Sequence, residues 1–461
     1  MTTATALLMQ ERQPSPWPTP AILLSLLACA GLPALSHAAP AESWDGYVLG
    51  MENTDNGVLG DMHGLRSTLA QHGFTFNSAW LSQLARNIEG GFNSDRHSAY
   101  IDQFWFMFTQ DLSAATGIPD AKIEGNIVNR NHDNNLTAMR LQDNRVTGGD
   151  LAQESWGGQS ITRLGWLTFS RSFLDQRLQW RLGLMNKVQD FDQSIPCDFQ
   201  LLNLCGGKAA AARTWYNWNS HYWGSTFQYK ITPEWTVKTG LLEQNPEAPS
   251  RSHAWSVSTQ GSKGVLFPLE LEWKTNSVNG LPGIYNLGWL YTNARQNALF
   301  QGHATQPEQY RHTGYWYAGL NQQLTRHHGD KQRGLSFSWS LGLGDKRSNP
   351  IPLITSASLR YRGLLDSRPQ DMMGIGTAWM HYSSNYQRQQ QYLNTQSGIS
   401  DYADAAYAPI PGYAMNSEFF YRAQLRPWLQ LQPGIQYWRK PAGLKETPDA
   451  WVVTLKTVVI F

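Results

Sequence analysis

Apolar side chains recur at every second position in stretch after stretch of this 461-residue chain, and a period of two excludes most folds at once. The last eleven residues, 451–461, show it plainly. Trp451, Val453, Leu455, Thr457, Val459 and Phe461 share one parity, whereas Thr454 and Lys456 share the other. Successive side chains of an extended strand point to opposite faces, so one face here is apolar and the other mixed. Roughly 9–11 residues is also what a tilted strand needs to cross the hydrocarbon of a bilayer. Alone, the segment fits the last strand of a soluble sandwich equally well.

Repetition decides between the two. Alternating segments are expected near 74–87, 100–111, 121–131, 162–171, 177–187, 221–231, 234–243 and 263–274, and again near 283–294, 313–323, 333–343, 353–363, 371–382, 413–424, 428–438 and 451–461. The clearest sets Leu335, Phe337, Trp339, Leu341 and Leu343 against Ser336, Ser338, Ser340 and Gly342. Connections after odd-numbered segments are mostly long and polar (132–161, 188–220, 295–312, 383–412), and those after even-numbered ones mostly short (172–176, 232–233, 364–370, 426–427). Short turns on one rim and long loops on the other mark an outer-membrane barrel; a sandwich gives no reason for that parity. The fold class predicted is therefore all-β, a transmembrane antiparallel barrel of about 16 strands whose width leaves a water-filled channel. Trp223, Tyr229, Trp235, Trp273, Tyr291 and Trp451 fall near segment ends, where interfacial belts sit.

Composition agrees. Lys plus Arg (37) nearly balances Asp plus Glu (35), which gives no bulk charge for nucleic acid. The mean hydropathy, −0.45, excludes a helical membrane protein but not a barrel. At the amino terminus, Arg12, the apolar run 21–30 and Ser36-His37-Ala38 read as an export signal over 1–38, cleaved after Ala38. Leu26-Leu27-Ala28-Cys29 loosely resembles a lipoprotein box, but the ordinary cleavage site follows it. Residues 39–73 are read as a periplasmic segment with a short helix near 62–70, N-capped by Asp61, and 74–461 as the barrel. Cleavage leaves Cys197 and Cys205, an even pair in an exported protein, which favours a disulfide over a metal site.

Several stretches resemble the carbohydrate-selective porins of the OprB type. They are Gly60-Asp61-Met62-His63-Gly64-Leu65-Arg66, Trp235-Thr236-Val237-Lys238-Thr239-Gly240 running on to Asn245-Pro246, and Leu281-Pro282-Gly283-Ile284-Tyr285-Asn286-Leu287-Gly288. Tyr361-Arg362-Gly363-Leu364-Leu365 with Arg368-Pro369, and Tyr421-Arg422-Ala423-Gln424-Leu425 with 427–433, complete the series, in the family's order. The resemblance implies a sixteen-stranded outer-membrane barrel that passes glucose and related sugars, with loops folded inward. One departure stands out: where the family places glutamates along an inward face, this chain has Trp166, Thr168 and Ser170.

Strict alternation turns Lys122, Arg130, Arg181, Lys187, Lys238, Arg360, Arg362 and Arg422 inward, together with Glu124, Glu270, Glu272 and Glu418. Sugar hydroxyls both donate and accept, so adjacent Arg and Glu side chains can replace water that a sugar sheds. Trp166 and Trp438, also turned inward, offer rings for flat sugar faces. Arg181 resembles a family arginine and leads the candidates, followed by Lys238 and Arg360. The bland reading is that these charges pair with one another across the lumen. The cysteine loop either folds into the pore or caps it outside. No cofactor, metal or catalytic residue is expected; small carbohydrates and outer-membrane lipid are the expected partners, and the oligomeric state stays open. Competing readings are a general diffusion porin, a soluble sugar-binding sandwich, and an outer-membrane lipase, for which His381 and Ser383 lack an adjacent acid.

Overall fold

The computed structural model describes residues 57–132, 134–155, 160–205, 215–216, 218–302 and 307–461. The expected export signal lies outside them. Sixteen strands close into one antiparallel barrel. In chain order they are β1 (Phe74–Glu89), β2 (Ser98–Asp111), β3 (Ala121–Asn131), β4 (Ile161–Phe173), β5 (Leu178–Met185), β6 (Tyr222–Lys230), β7 (Trp235–Gln244) and β8 (Gly264–Val278). The second half comprises β9 (Leu281–Thr292), β10 (Thr313–Gln323), β11 (Gly334–Gly344), β12 (Leu353–Arg362), β13 (Met372–His381), β14 (Tyr413–Arg426), β15 (Leu429–Arg439) and β16 (Ala450–Ile460). Each pairs with its sequence neighbours, and β1 closes the ring on β16 in register from Ala79↔Ile460 to Asn87↔Val452, with a shift before Glu89↔Trp451. Closure leaves no strand edge unpaired, which hydrocarbon requires.

The predicted parity holds on both rims. Residues 186–221 and 382–412 are long connections on one, and 174–177, 279–280 and 427–428 are tight turns on the other. The two faces of β16 show why the alternation was needed: Trp451, Val453 and Leu455 are exposed on the outer surface, while Val452, Thr454 and Lys456 are buried on the inner one. Outward rings gather in two belts. Trp235 stacks on Trp273 (5.4 Å), which stacks on Tyr285 (5.0 Å), near the tight turns. Trp289 and Trp316 lie 6.2 Å apart near the long loops.

A short helix, α1 (Leu65–Gln71), precedes the barrel, one turn of chain later than expected from an Asp61 cap. Gly64, in the left-handed region, occupies the cap position, and Asp61 instead accepts the Ser67 amide at 2.8 Å. Arg66 then ties this segment to the barrel by donating to the Phe76 carbonyl (2.7 Å) and to Phe461 O (2.9 Å). The tight-turn rim also carries α2 (Leu112–Thr116), capped by the Asp111 carboxylate. On the other rim, α3 (Ser384–Ser397) starts where the Ser383 hydroxyl accepts the Asn385 and Tyr386 amides. Ser383 is thus a helix cap, which removes the nucleophile from the lipase reading.

Outward Leu455 lies halfway along β16, so Leu455→Arg places a charge in hydrocarbon. It is expected to lower unfolding stability in lipid vesicles by about 2–4 kcal/mol, measured by urea titration of tryptophan fluorescence. The same substitution at a residue of the aromatic belts should cost about 1 kcal/mol or less.

Candidate functional site: the inner wall and its seated loops

Two of the long connections do not stand above the barrel; they turn into it. Inward side chains of the wall hold them. In the loop 132–160, the Gln153 amide donates to the Gln83 carbonyl (2.7 Å) and to the Ala99 carbonyl (3.0 Å), and the Ser155 N–H donates to Gln83 Oε1 (3.1 Å). In the loop 186–221, the N–H groups of Gln200 and Leu201 donate to the two oxygens of Glu418, at 2.9 and 2.6 Å. The Asp192 N–H donates to Glu270 (2.7 Å). Buried backbone amides need partners, and a polar wall supplies them. Glycines make the fit possible: a Cβ at Gly376 would lie 2.9 Å from Leu204 Cδ1, and one at Gly319 would overlap the Ser194 hydroxyl. Cys197 and Cys205 are disulfide-bonded within this inward loop, which answers the question that the sequence left open.

The inward charges are deployed chiefly in seating these loops. Asp198, buried, bridges Arg360 (2.5 Å) and Arg422 (2.8 Å). Arg360 also donates to Asn321 and Ser338, both at 2.6 Å, and Arg422 to the Asp198 carbonyl (2.9 Å) and Gln432 (2.8 Å). Arg181 pairs with Glu124 across the wall and with Asp190 of the loop at 3.1 Å. Asp190 in turn accepts from Thr226 and Gln228. Lys238 lies between Glu270 (2.9 Å) and Glu272 (2.7 Å), and the Tyr317 hydroxyl donates to Glu270. Lys187 lies past the end of β5 rather than on it, and pairs with Asp192 within the loop.

Other candidates line the remaining wall. Lys122 is half exposed beside Glu124 (2.9 Å), and Arg362 donates to Gln370 (3.0 Å) at the tight-turn end. Arg130 is buried with its guanidinium 5.4 Å from the Trp218 ring. Trp166 is half-buried against a cluster that includes Leu81, Trp105 and Val128. Trp438 is 1% exposed, packed with Phe199 and Leu201 of the loop, and its indole donates to Gln436.

Alternation alone omits several members of this wall. Arg163 turns inward because a bulge at Asn126/Ile127 shifts the register of β4, and its guanidinium donates to the carbonyls of Ala248 (2.5 Å) and Pro249 (3.0 Å). Lys456, which alternation does turn inward though it is not among the candidates, faces Glu154 of the first loop at 3.7 Å. Asp190, Asp192 and Asp198 come from a loop and have no period to betray them.

Two loop carboxyls respond to this environment in opposite directions. Burial alone would raise the Asp198 carboxyl, but the guanidiniums of Arg422 and Arg360 outweigh it and hold it below the usual carboxylate range. Burial pushes the Asp150 carboxyl up to about 7, against hydrogen bonds from Asn416 and from the backbone of Asn203 and Leu151. A proton on Asp150 also suits its neighbour. The buried Asn416 Oδ1 has no donor, and turning that amide over would offer it the Asp150 O–H.

A family model described as carbohydrate-selective porin, OprB family, matches residues 95–461. Porin B of Pseudomonas aeruginosa is 31% identical over 449 residues, covering 95% of this chain and 96% of that one. A putative porin, QuiX, of Acinetobacter baylyi is 35% identical over 407 residues, covering 86% and 91%. Among solved structures, the high-pH structure of Pseudomonas putida OprB superposes with a TM-score of 0.85 at 32% identity, over 88% of this chain and 98% of that one.

Two outcomes follow from the loop carboxyls. Asp198→Asn leaves two buried guanidiniums underpaired and should cost about 3–5 kcal/mol, with raised single-channel conductance as the loop loosens. For the native pair the folded pKa lies below the unfolded one, so its stabilisation is complete above about pH 4 and is lost as pH falls through the depressed value. For Asp150 the sign reverses: its raised folded pKa penalises folding progressively as pH climbs from about 4 towards 7. Asp150→Asn should flatten the urea midpoint across that interval, with little change below it.

Proposed function

The chain belongs to the carbohydrate-selective porin family, outer-membrane channels of Gram-negative bacteria rather than enzymes, and from that premise we propose that it passes small neutral sugars such as glucose by passive diffusion. One observation carries this reading. On the part of the wall formed by β3 and β4, Lys122 and Glu124 lie 2.9 Å apart, both partly exposed, and Glu124 pairs across to Thr168, two residues from the half-buried Trp166. An acid, a base and an aromatic ring on one stretch of accessible wall match the chemistry of a pyranose, whose hydroxyls donate and accept around an apolar face. Hydrogen-bonding partners on the wall exchange for the water that a sugar sheds, and each contact stays weak enough for release. The remaining inward charges act indirectly, by setting how far the loops narrow the passage. Residues 1–38 would serve as the export signal and 39–73 as a periplasmic lead-in, and outer-membrane lipid would cover the outer surface.

A general diffusion porin would share this architecture. In liposome swelling, hexoses should enter faster than polyols of equal size; rates that track size alone would remove selectivity. Glucose added to a planar bilayer should reduce single-channel conductance reversibly. Trp166→Ala should weaken that block by about two- to tenfold, the range of about 0.5–1.5 kcal/mol for an aromatic contact.

A further inference from the structure

The tight-turn rim holds a group of side chains that no step of sugar passage uses. The turn 324–333, between β10 and β11, carries His327 and His328; the turn 363–371, between β12 and β13, carries Asp366. Their ligand atoms all lie within 4.8 Å of one another. His327 Nε2 is 3.2 Å from Asp366 Oδ1, and His328 Nε2 is 3.7 Å from Asp366 Oδ2. We propose that His327, His328 and Asp366 form a binding site for a divalent transition metal of the zinc type, which clasps two neighbouring turns of the barrel rim.

The spacing suits such an ion. Tetrahedral zinc with bonds of about 2.0–2.1 Å holds its ligand atoms about 3.3 Å apart, close to the 3.2 Å between His327 Nε2 and Asp366 Oδ1, and the exposed His328 lies 3.7 Å from the other carboxylate oxygen. Two imidazoles and one carboxylate favour zinc, nickel or copper over magnesium or calcium, which take oxygen ligands. Water would complete the fourth position.

Two of the three ligands, His327 and Asp366, are held from behind, as metal ligands usually are. The other ring nitrogen of His327, Nδ1, lies 2.8 Å from the Tyr361 hydroxyl, which orients the imidazole and leaves Nε2 for the metal. Arg333 donates to Asp366 Oδ1 (2.8 Å) and also to the Gly363 carbonyl, fixing the carboxylate while Oδ2 stays on the His328 side. His328 has φ +48°, in the left-handed region, and Gly329 follows at +83°. That backbone twist lets two consecutive histidines face one carboxylate, with ring centroids 4.3 Å apart. Without a metal, the ring proton of His327 sits on Nε2 facing Asp366; metal binding at Nε2 moves it to Nδ1, which then donates to the Tyr361 hydroxyl.

The whole barrel, folded in detergent, stripped with chelator and dialysed, is titrated with zinc by calorimetry and with cobalt by visible absorption. The expected result is one ion per chain with micromolar affinity and a tetrahedral cobalt spectrum. Both should be lost in His328→Gln and in Asp366→Asn, whose exposed side chains leave the barrel closed. Heat-modifiable gel mobility checks that closure. Binding that survives in either folded variant, or a wild-type chain that takes up no stoichiometric ion, overturns the proposal. Sugar uptake does not enter the readout, so this outcome is separate from that of the porin reading.

Discussion

A backbone amide surrounded by hydrocarbon has no water to turn to, and each one left unpaired there costs several kcal/mol. That constraint shapes everything else in this protein. It forces the first strand onto the last, and the pairing of β1 with β16 runs unbroken from Ala79↔Ile460 to Asn87↔Val452 before a small shift at Glu89. It also forces the period of two, because a wall one residue thick has only an outside and an inside. Val453 and Leu455 can face outward only because Thr454 and Lys456 face inward.

Inside, a second constraint takes over. A wall rich in Arg, Lys, Glu and Asn cannot stay dry without partners, and the two inward loops bring complementary groups to it. Asp198 meets Arg360 and Arg422, Asp190 meets Arg181, and the amides of Gln200 and Leu201 meet Glu418. Buried ion pairs seldom add much net stability, since desolvation offsets attraction. Their use here is positional: a loop held by charges of fixed geometry sets the bore of the passage more reproducibly than a greasy contact could.

How much of this was legible in the chain differs from feature to feature. The strands were, because Trp451 to Phe461 and Leu335 to Leu343 repeat a pattern that only an extended segment satisfies. The rims were legible too, through alternating loop lengths. The inward list was readable wherever alternation ran unbroken, as for Arg360 and Glu418, and failed at Arg163, where a single bulge beside Asn126 reverses the parity. The loop acids were not legible at all. Nothing in the residues around Asp198 records that it meets side chains more than 160 positions away, because a loop has no period and its destination is set by the wall. The Asp61 cap misled for a smaller reason: a left-handed glycine at position 64 started the helix later.

The cysteine loop leaves β5 early in the chain, yet its docking partners Arg360, Arg422 and Gln432 belong to β12, β14 and β15. Its first part can dock on β5, β6 and β8 through Asp190 and Asp192, but Asp198 has no partner until β12 and β14 exist. Until then the Asp198 carboxylate stays hydrated and that end of the loop stays unseated. Seating the Asp198 end of the loop is accordingly a late event that reports completion of the ring, and a chain truncated before β14 should form sheet without ever acquiring a defined bore.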